Sequence, residues 1–191
     1  MKRSKWAVTA AMVSGTWLLA GAIAVKPVTA WAASKATSEF KEIKWGELIP
    51  ADWDPSKQFK HVNPATLNDG SPETDKILKA IREAWDNAPT RTDLEEAKIK
   101  LPGYLVPLEE SKGQWKEFLL VPYFGACIHS PPPPANQIIH VFLAKPVGGF
   151  KSMDAAWVSG TLKTTRLNSE MGVSGYRLDA VSVVKYVNPP R

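Results

Sequence analysis

Cys127 and His129 are the two residues whose types and spacing best suit chemistry, and they lie in the stretch GACIHSPPPP. A thiolate and an imidazole are ligands that zinc and copper favour. In an extended backbone, residues two apart point to the same side, with Cβ atoms about 6–7 Å apart. His140 follows on the next predicted strand as a third ligand, and His61 or a carboxylate would supply a fourth. The sequence therefore predicts a zinc or copper site formed by Cys127, His129 and His140.

Two other interpretations of Cys127 stay open. In the structural one, Cys127 is a small buried hydrophobe, and His129 hydrogen-bonds carbonyl groups that the prolines leave without partners. In the catalytic one, Cys127 is the nucleophile of a hydrolase or transferase. Residues two apart on one strand rarely meet as nucleophile and base, so His140 or His61 would have to act as the base. We favour a non-enzymatic binding or accessory module, with the thiol enzyme as its alternative.

Four consecutive prolines, Pro131–Pro134, follow the Cys–His pair. Such a run forms a stiff polyproline II rod that lacks backbone donors. The rod is expected to hold the preceding turn in one conformation, which lowers the entropic cost of binding there. The segment 125–137 is therefore the predicted functional edge of the domain.

The N-terminus has the order of a secretory signal. Met1–Lys5 carries three positive charges, residues 6–25 contain no ionisable side chain, and Ala30-Trp31-Ala32 offers small residues for cleavage. An uncleaved membrane anchor is the alternative, because about 20 apolar residues span a bilayer. We expect cleavage before Ala33, a periplasmic location and no stable membrane insertion afterwards.

Composition narrows the classes of function. The 191 residues include 24 Lys and Arg and 19 Asp and Glu, a formal net charge of +5. Residues 1–32 hold four of the basic side chains and no acidic one, so 20 basic and 19 acidic side chains remain in the expected mature chain. Nucleic acid is not expected as a partner, because such binding needs a net positive field. The single Cys excludes an intramolecular disulfide and any site of several thiolates.

Three parts are predicted along the chain: a signal peptide over 1–32, an N-terminal arm over 33–69, and a helix plus barrel-like domain over 70–191. The arm contains turn formers beside two bulky aromatic residues, Trp45 and Trp53. Large buried aromatic side chains contribute strongly to packing, so we expect this pair to dock the arm onto the domain.

A helix that begins at Ser71 is followed by a strand-rich region in which apolar residues alternate with polar ones. The strand candidates cover residues 97–108, 115–122, 137–144, 156–165 and 176–186. Five short strands with a flanking helix predict a mainly β fold, a small five-stranded antiparallel barrel similar to an OB-fold. A two-layer α+β sandwich is the alternative.

The stretch GACIHSPPPP, with GYLVPL upstream and WVSGTL and GYR downstream, resembles the bacterial exported proteins called domain of unknown function 3299. The resemblance covers residues 45–187. It implies an envelope location and association with transport systems concerned with metals or export. It implies no established activity and no established catalytic residues.

Overall fold

The computed structural model describes residues 39–57, 59, 60, 62, 70–129 and 131–187. The predicted signal peptide over 1–32 and His61 lie outside the described residues. No helix within the described ranges is long and apolar enough to cross a membrane.

Helix α1 spans Pro72–Asp86 and begins where its capping residues predict. Ser71 Oγ accepts a hydrogen bond from the backbone N–H of Thr74 at 3.1 Å. Pro72 lies in the first turn, where the missing N–H has no partner to lose. Short 3₁₀ helices lie at Trp45–Leu48, Pro55–Lys57, Thr92–Leu94 and Ala135–Gln137.

The strands are β1 (Lys41–Glu42), β2 (Lys98–Ser111), β3 (Gln114–Val121), β4 (Ile139–Gly148), β5 (Ala155–Lys163), β6 (Leu167–Ser169), β7 (Gly172–Ser174) and β8 (Tyr176–Lys185). The order β2-β3-β4-β8-β5 closes into a barrel, because β5 also pairs with β2. β2 is long enough to serve two neighbours: its first half pairs with β5 and its second half with β3. Strands β6 and β7 form a separate hairpin.

The mainly β, OB-like barrel with a flanking helix is therefore confirmed. One detail differs, since the predicted sheet was wholly antiparallel and β4 pairs with β8 in parallel. The chain passes through β5 and the small hairpin before it returns beside β4, and local alternation of side chains does not specify that pairing.

Alternation along the strands separates two apolar clusters. The inner cluster fills the barrel with side chains that include Leu101, Phe118, Leu120, Ile139, Val158 and Leu178. An outer cluster covers the other face of β2 and β3 and contains Val106, Leu119, Val121, Ala126, Ile138 and Met153. Strand β3 is thus buried on both faces at its end, as its continuous apolar run predicts.

Residues before α1 also contribute to the barrel. Leu48 is fully buried in the inner cluster, and its carbonyl oxygen accepts a hydrogen bond of 2.7 Å from the Tyr176 hydroxyl. The Trp45 indole N–H donates to the Pro102 carbonyl at 2.7 Å. Trp53 is half-buried. Trp45 thus contacts the barrel, and the docking role of the whole arm stays a prediction.

Candidate binding surface

The backbone around Cys127 forms a tight turn, so the extended geometry considered for Cys127 and His129 is not present. Gly125 and Cys127 have φ angles of 87° and 64°. The N–H of His129 donates to the Gly125 carbonyl at 2.8 Å. A positive φ is uncommon for a residue with a side chain, and the turn holds Cys127 there. The two side chains consequently enter different environments.

Cys127 is half-buried and packs against the outer cluster. Burial raises the pKa of its thiol to about 11, although the positive charge of Arg82 acts in the opposite direction. The thiol is therefore protonated at neutral pH. A protonated thiol is neither a strong nucleophile nor a metal ligand until it loses its proton.

The two candidate histidines occupy different sites. His129 is exposed on the turn. His140 lies on β4, is 5% exposed, and its Nε2 atom is 2.5 Å from Glu117 Oε1. Burial lowers the pKa of His140, opposed by the neighbouring Glu117 carboxylate. Its Nδ1 atom has no hydrogen-bond partner among the described residues.

The metal site stays a prediction. Within the described parts of the chain, no group of three or more His, Cys, Asp or Glu side chains could hold a metal ion. His140 Nε2 is engaged by Glu117, and the imidazole stacks on Phe142 with ring centroids 4.6 Å apart. Of the three predicted ligands, Cys127 and His129 share the turn, whereas His140 belongs to a barrel strand.

Arg82 on α1 anchors the proline segment, and sequence reasoning missed it. Its Nη1 donates to the Pro132 carbonyl at 2.7 Å, while Nε and Nη2 donate to Asp86 Oδ1 at 3.0 and 2.6 Å. A carbonyl of a proline run has no neighbouring N–H to pair with, so a side-chain donor satisfies it well. The spacing of four between Arg82 and Asp86 on a helix predicts their ion pair, but it does not predict the hydrogen bond to the Pro132 carbonyl.

Five aromatic rings line the outside of the barrel beside this turn. We call Trp45, Tyr104, Phe124, Trp157 and Tyr186 the aromatic strip. The Tyr104 and Phe124 rings meet edge to face at 5.9 Å, and the Trp157 and Tyr186 rings lie 5.3 Å apart. Phe124 is 65% exposed, and the other four rings are half-buried.

A small apolar cavity of about 80 Å³ joins the two aromatic pairs. Its walls are Trp45, Pro102, Gly103, Tyr104, Pro122, Ala155 and Tyr186. Within the described residues, the Tyr104 and Tyr186 hydroxyl groups and the Trp157 indole N–H form no hydrogen bond, so these polar groups are free for a ligand. Rigid rings around an apolar slot, with a few donors at its rim, are typical of a binding surface.

Comparison with known proteins gives a family. A family model described as "Protein of unknown function (DUF3299)" matches residues 45–185. A crystal structure of a DUF3299 family protein from Pseudomonas aeruginosa PAO1 superposes with a TM-score of 0.62 and 40% sequence identity. The match covers 79% of this chain and 99% of the other. No curated protein matches the chain significantly.

Proposed function

The chain belongs to the DUF3299 family of proteins of unknown function, and from this premise we propose that it is a non-enzymatic binding module of the bacterial envelope. Its binding surface is the aromatic strip, and its ligand is an extended, proline-containing segment of a partner protein. The observation that carries the proposal is the apolar cavity lined by Trp45, Tyr104 and Tyr186 on the outside of a filled barrel.

Proline-containing segments suit this surface for a physical reason. They adopt the polyproline II conformation before binding, so little entropy is lost, and they dock on grooves lined by aromatic rings. A prolyl ring would enter the cavity, and the carbonyl groups beside it would accept hydrogen bonds from the Tyr104 and Tyr186 hydroxyl groups. The aromatic strip supplies the rings and the donors together.

A thiol enzyme is the alternative function, and the environment of Cys127 disfavours it. A nucleophilic cysteine needs a lowered pKa or an adjacent base, whereas burial raises the pKa of this thiol to about 11. The histidine on the same turn, His129, is exposed, and the imidazole of His140 is paired with Glu117.

Export and partnership with an envelope transport component complete the proposal. Support comes from the charged and apolar leader over 1–32, and from the implied context of the family. Intact mass of the protein recovered from the envelope fraction tests it. We expect a mature chain that begins at Ala33, and a full-length chain retained in the membrane pellet would contradict the export proposal.

Binding of a synthetic proline-rich peptide, followed by tryptophan fluorescence, tests the main proposal. Trp45 and Trp157 belong to the strip and serve as reporters. We expect the peptide to quench the fluorescence in a saturable way. Phe124→Ala and Tyr186→Ala should each raise the dissociation constant about tenfold, which is about 1.4 kcal/mol. Leu78→Ala is the matched control, because Leu78 is 51% exposed and lies on α1. Equal affinity in all the variants, or no quenching, would exclude the strip as the site.

Zinc or copper handling through Cys127 and His129, with His140 as a further ligand, is a second proposal. Its support is the single turn that contains both Cys127 and His129. Calorimetric titration with zinc at about pH 7.5 and about pH 5.5 should show affinity that falls in acid, since the thiol must ionise and the imidazole must stay neutral. His129→Ala should weaken binding at the higher pH. Equal heats in the three titrations, or none, would leave the structural interpretation of Cys127.

A further inference from the structure

Strands β4 and β8 separate part of the way along the barrel. Their parallel pairing runs from Ile139 and Tyr176 to Leu143 and Ala180, and both strands continue beyond that point. The open seam, as we call the gap, is a cavity of about 510 Å³ between residues 143–147 and 180–183.

Both strands are irregular where they separate, β4 between residues 142 and 147 and β8 at a bulge. Gly160 of β5 pairs with Ala180 and Ser159 pairs with Ser182, so Val181 is an extra residue on β8. A bulge bends its strand and ends regular pairing. Gly160 permits the close approach, because a Cβ atom there would lie 2.8 Å from the Cα atom of Ala180. Gly160 thus accommodates the β8 side of the seam.

The β8 edge that faces the seam offers free backbone groups and apolar side chains. Within the described residues, no strand pairs with that edge from Val181 to Lys185. Val181 is 69% exposed and Val184 is 58% exposed. An unpaired, apolar strand edge is a template for another strand. The opposite edge, on β4, is less suitable because Pro146 lacks an N–H.

Among the described residues, the seam has one positively charged side chain, and two more lie in the cavity beside it. Lys145 lines the seam, and Lys112 and Lys116 line a neighbouring cavity that shares Pro146. None of these three lysines forms an ion pair within the described part of the chain, and Glu109 is the acidic side chain of the neighbouring cavity. A second copy of this chain would bring two such lysine groups together. Charge complementarity therefore favours an acidic partner over self-association.

We propose that the open seam receives an extended, acidic segment of a partner protein, which adds as a strand along β8. The backbone of the segment would pair with residues 181–185, and alternate apolar side chains would lie against Val181 and Val184. Acidic side chains would meet Lys145 and its neighbours. The seam and the aromatic strip adjoin where Val184 pairs with Trp157. The contacts proposed at Val181 and Lys145 lie outside the strip, so a failure of the function proposed above would leave this interaction intact.

Hydrogen exchange of the full chain, measured by NMR with a peptide probe, tests this proposal. The probe is the peptide Asp-Val-Thr-Val-Thr-Val-Asp at up to about 1 mM, a concentration that detects dissociation constants up to about 1 mM. We expect the peptide to slow exchange of amides in 181–185 about tenfold. An N-methylated peptide, which cannot donate, should lose the effect, and a peptide with Lys in place of Asp should bind about tenfold more weakly.

Val181→Glu removes an apolar contact and adds a charge that repels the acidic peptide, so it should weaken peptide binding, whereas Phe124→Ala should not. Because Val181 is exposed, the variant should keep its thermal midpoint, and that measurement shows whether a loss of binding comes from unfolding. Equal binding of the N-methylated peptide, protection outside the seam, or no binding at all would overturn the proposal. Protection that depends on protein concentration without peptide would instead assign the seam to a second copy.

Discussion

Phe118 and Phe124 are close in the chain but differ in burial. Phe118 lies on β3, faces the barrel interior and is fully buried, whereas Phe124 lies in the turn after β3 and is 65% exposed. In the strand, alternation sends every second side chain into the core. In the turn, the left-handed backbone of Gly125 and Cys127 decides which side chains face out. The barrel interior thus buries Phe118, while the turn after β3 leaves Phe124 on the surface.

Replacing each of these two phenylalanines by Ala gives the largest contrast. Phe118→Ala leaves a cavity in a closely packed interior and should lower the free energy of unfolding by about 3–5 kcal/mol. Phe124→Ala removes an exposed side chain and should change it by less than about 0.5 kcal/mol. Denaturant unfolding followed by circular dichroism measures both. Similar losses in the two variants would mean that Phe124 is part of the core.

The barrel could be predicted largely from the sequence because its strands alternate. Ile99 and Leu101 on β2, and Ala156 and Val158 on β5, recur at the spacing of two that buries one face of a strand. The parallel pairing of β4 with β8 could not be predicted, because three other strands separate them in the chain and the side-chain pattern does not specify which strands pair. The bulge at Val181 has a signal in Gly160, but a glycine inside a strand does not say which neighbour approaches it.

The outer segment, residues 122–138, was less predictable because distant contacts shape it. The sequence predicted a rigid proline run, and the structure adds that Arg82, far back in the chain, holds the Pro132 carbonyl. Cysteine seldom adopts a positive φ, so the turn at Cys127 had no signal in the residue itself. Likewise, Glu117 and His140 meet across two strands, and only the strand register places them together.

Arg82→Met tests whether the outer segment depends on this anchor. The variant keeps the length of the side chain but removes the donors to Pro132 and Asp86, so the free energy of unfolding should fall by about 1–2 kcal/mol. Hydrogen exchange of the His129 amide, which donates to the Gly125 carbonyl, should become faster as the segment loosens. Lys79→Met is the control, because Lys79 is exposed on the same helix and should leave both values unchanged. Equal behaviour of the two variants would show that the prolines hold the segment without Arg82.

The smallest predicted effect concerns pH and the His140 site. Burial lowers the pKa of His140 below its ordinary value of 6.5, while the Glu117 carboxylate opposes the shift and the Arg177 charge adds to it. The unfolded chain therefore binds a proton more readily than the folded one below about pH 6.5. Stability from this residue is complete above that pH and declines as the pH falls towards the lower pKa of the folded state. The slope cannot exceed about 1.4 kcal/mol per pH unit for one proton.

His140→Gln removes this titration and leaves a polar side chain beside Glu117. In denaturant unfolding measured from about pH 7.5 down to about pH 5, we expect the original chain to lose more stability than the variant. His129→Gln is the matched control, because it makes the same replacement at an exposed imidazole on the turn after β3. A steeper loss in the His140→Gln variant than in the original chain would mean that the folded state prefers charged His140. In that case the Glu117 carboxylate would raise the pKa of His140 by more than burial lowers it, and the folded chain would hold His140 in its charged form.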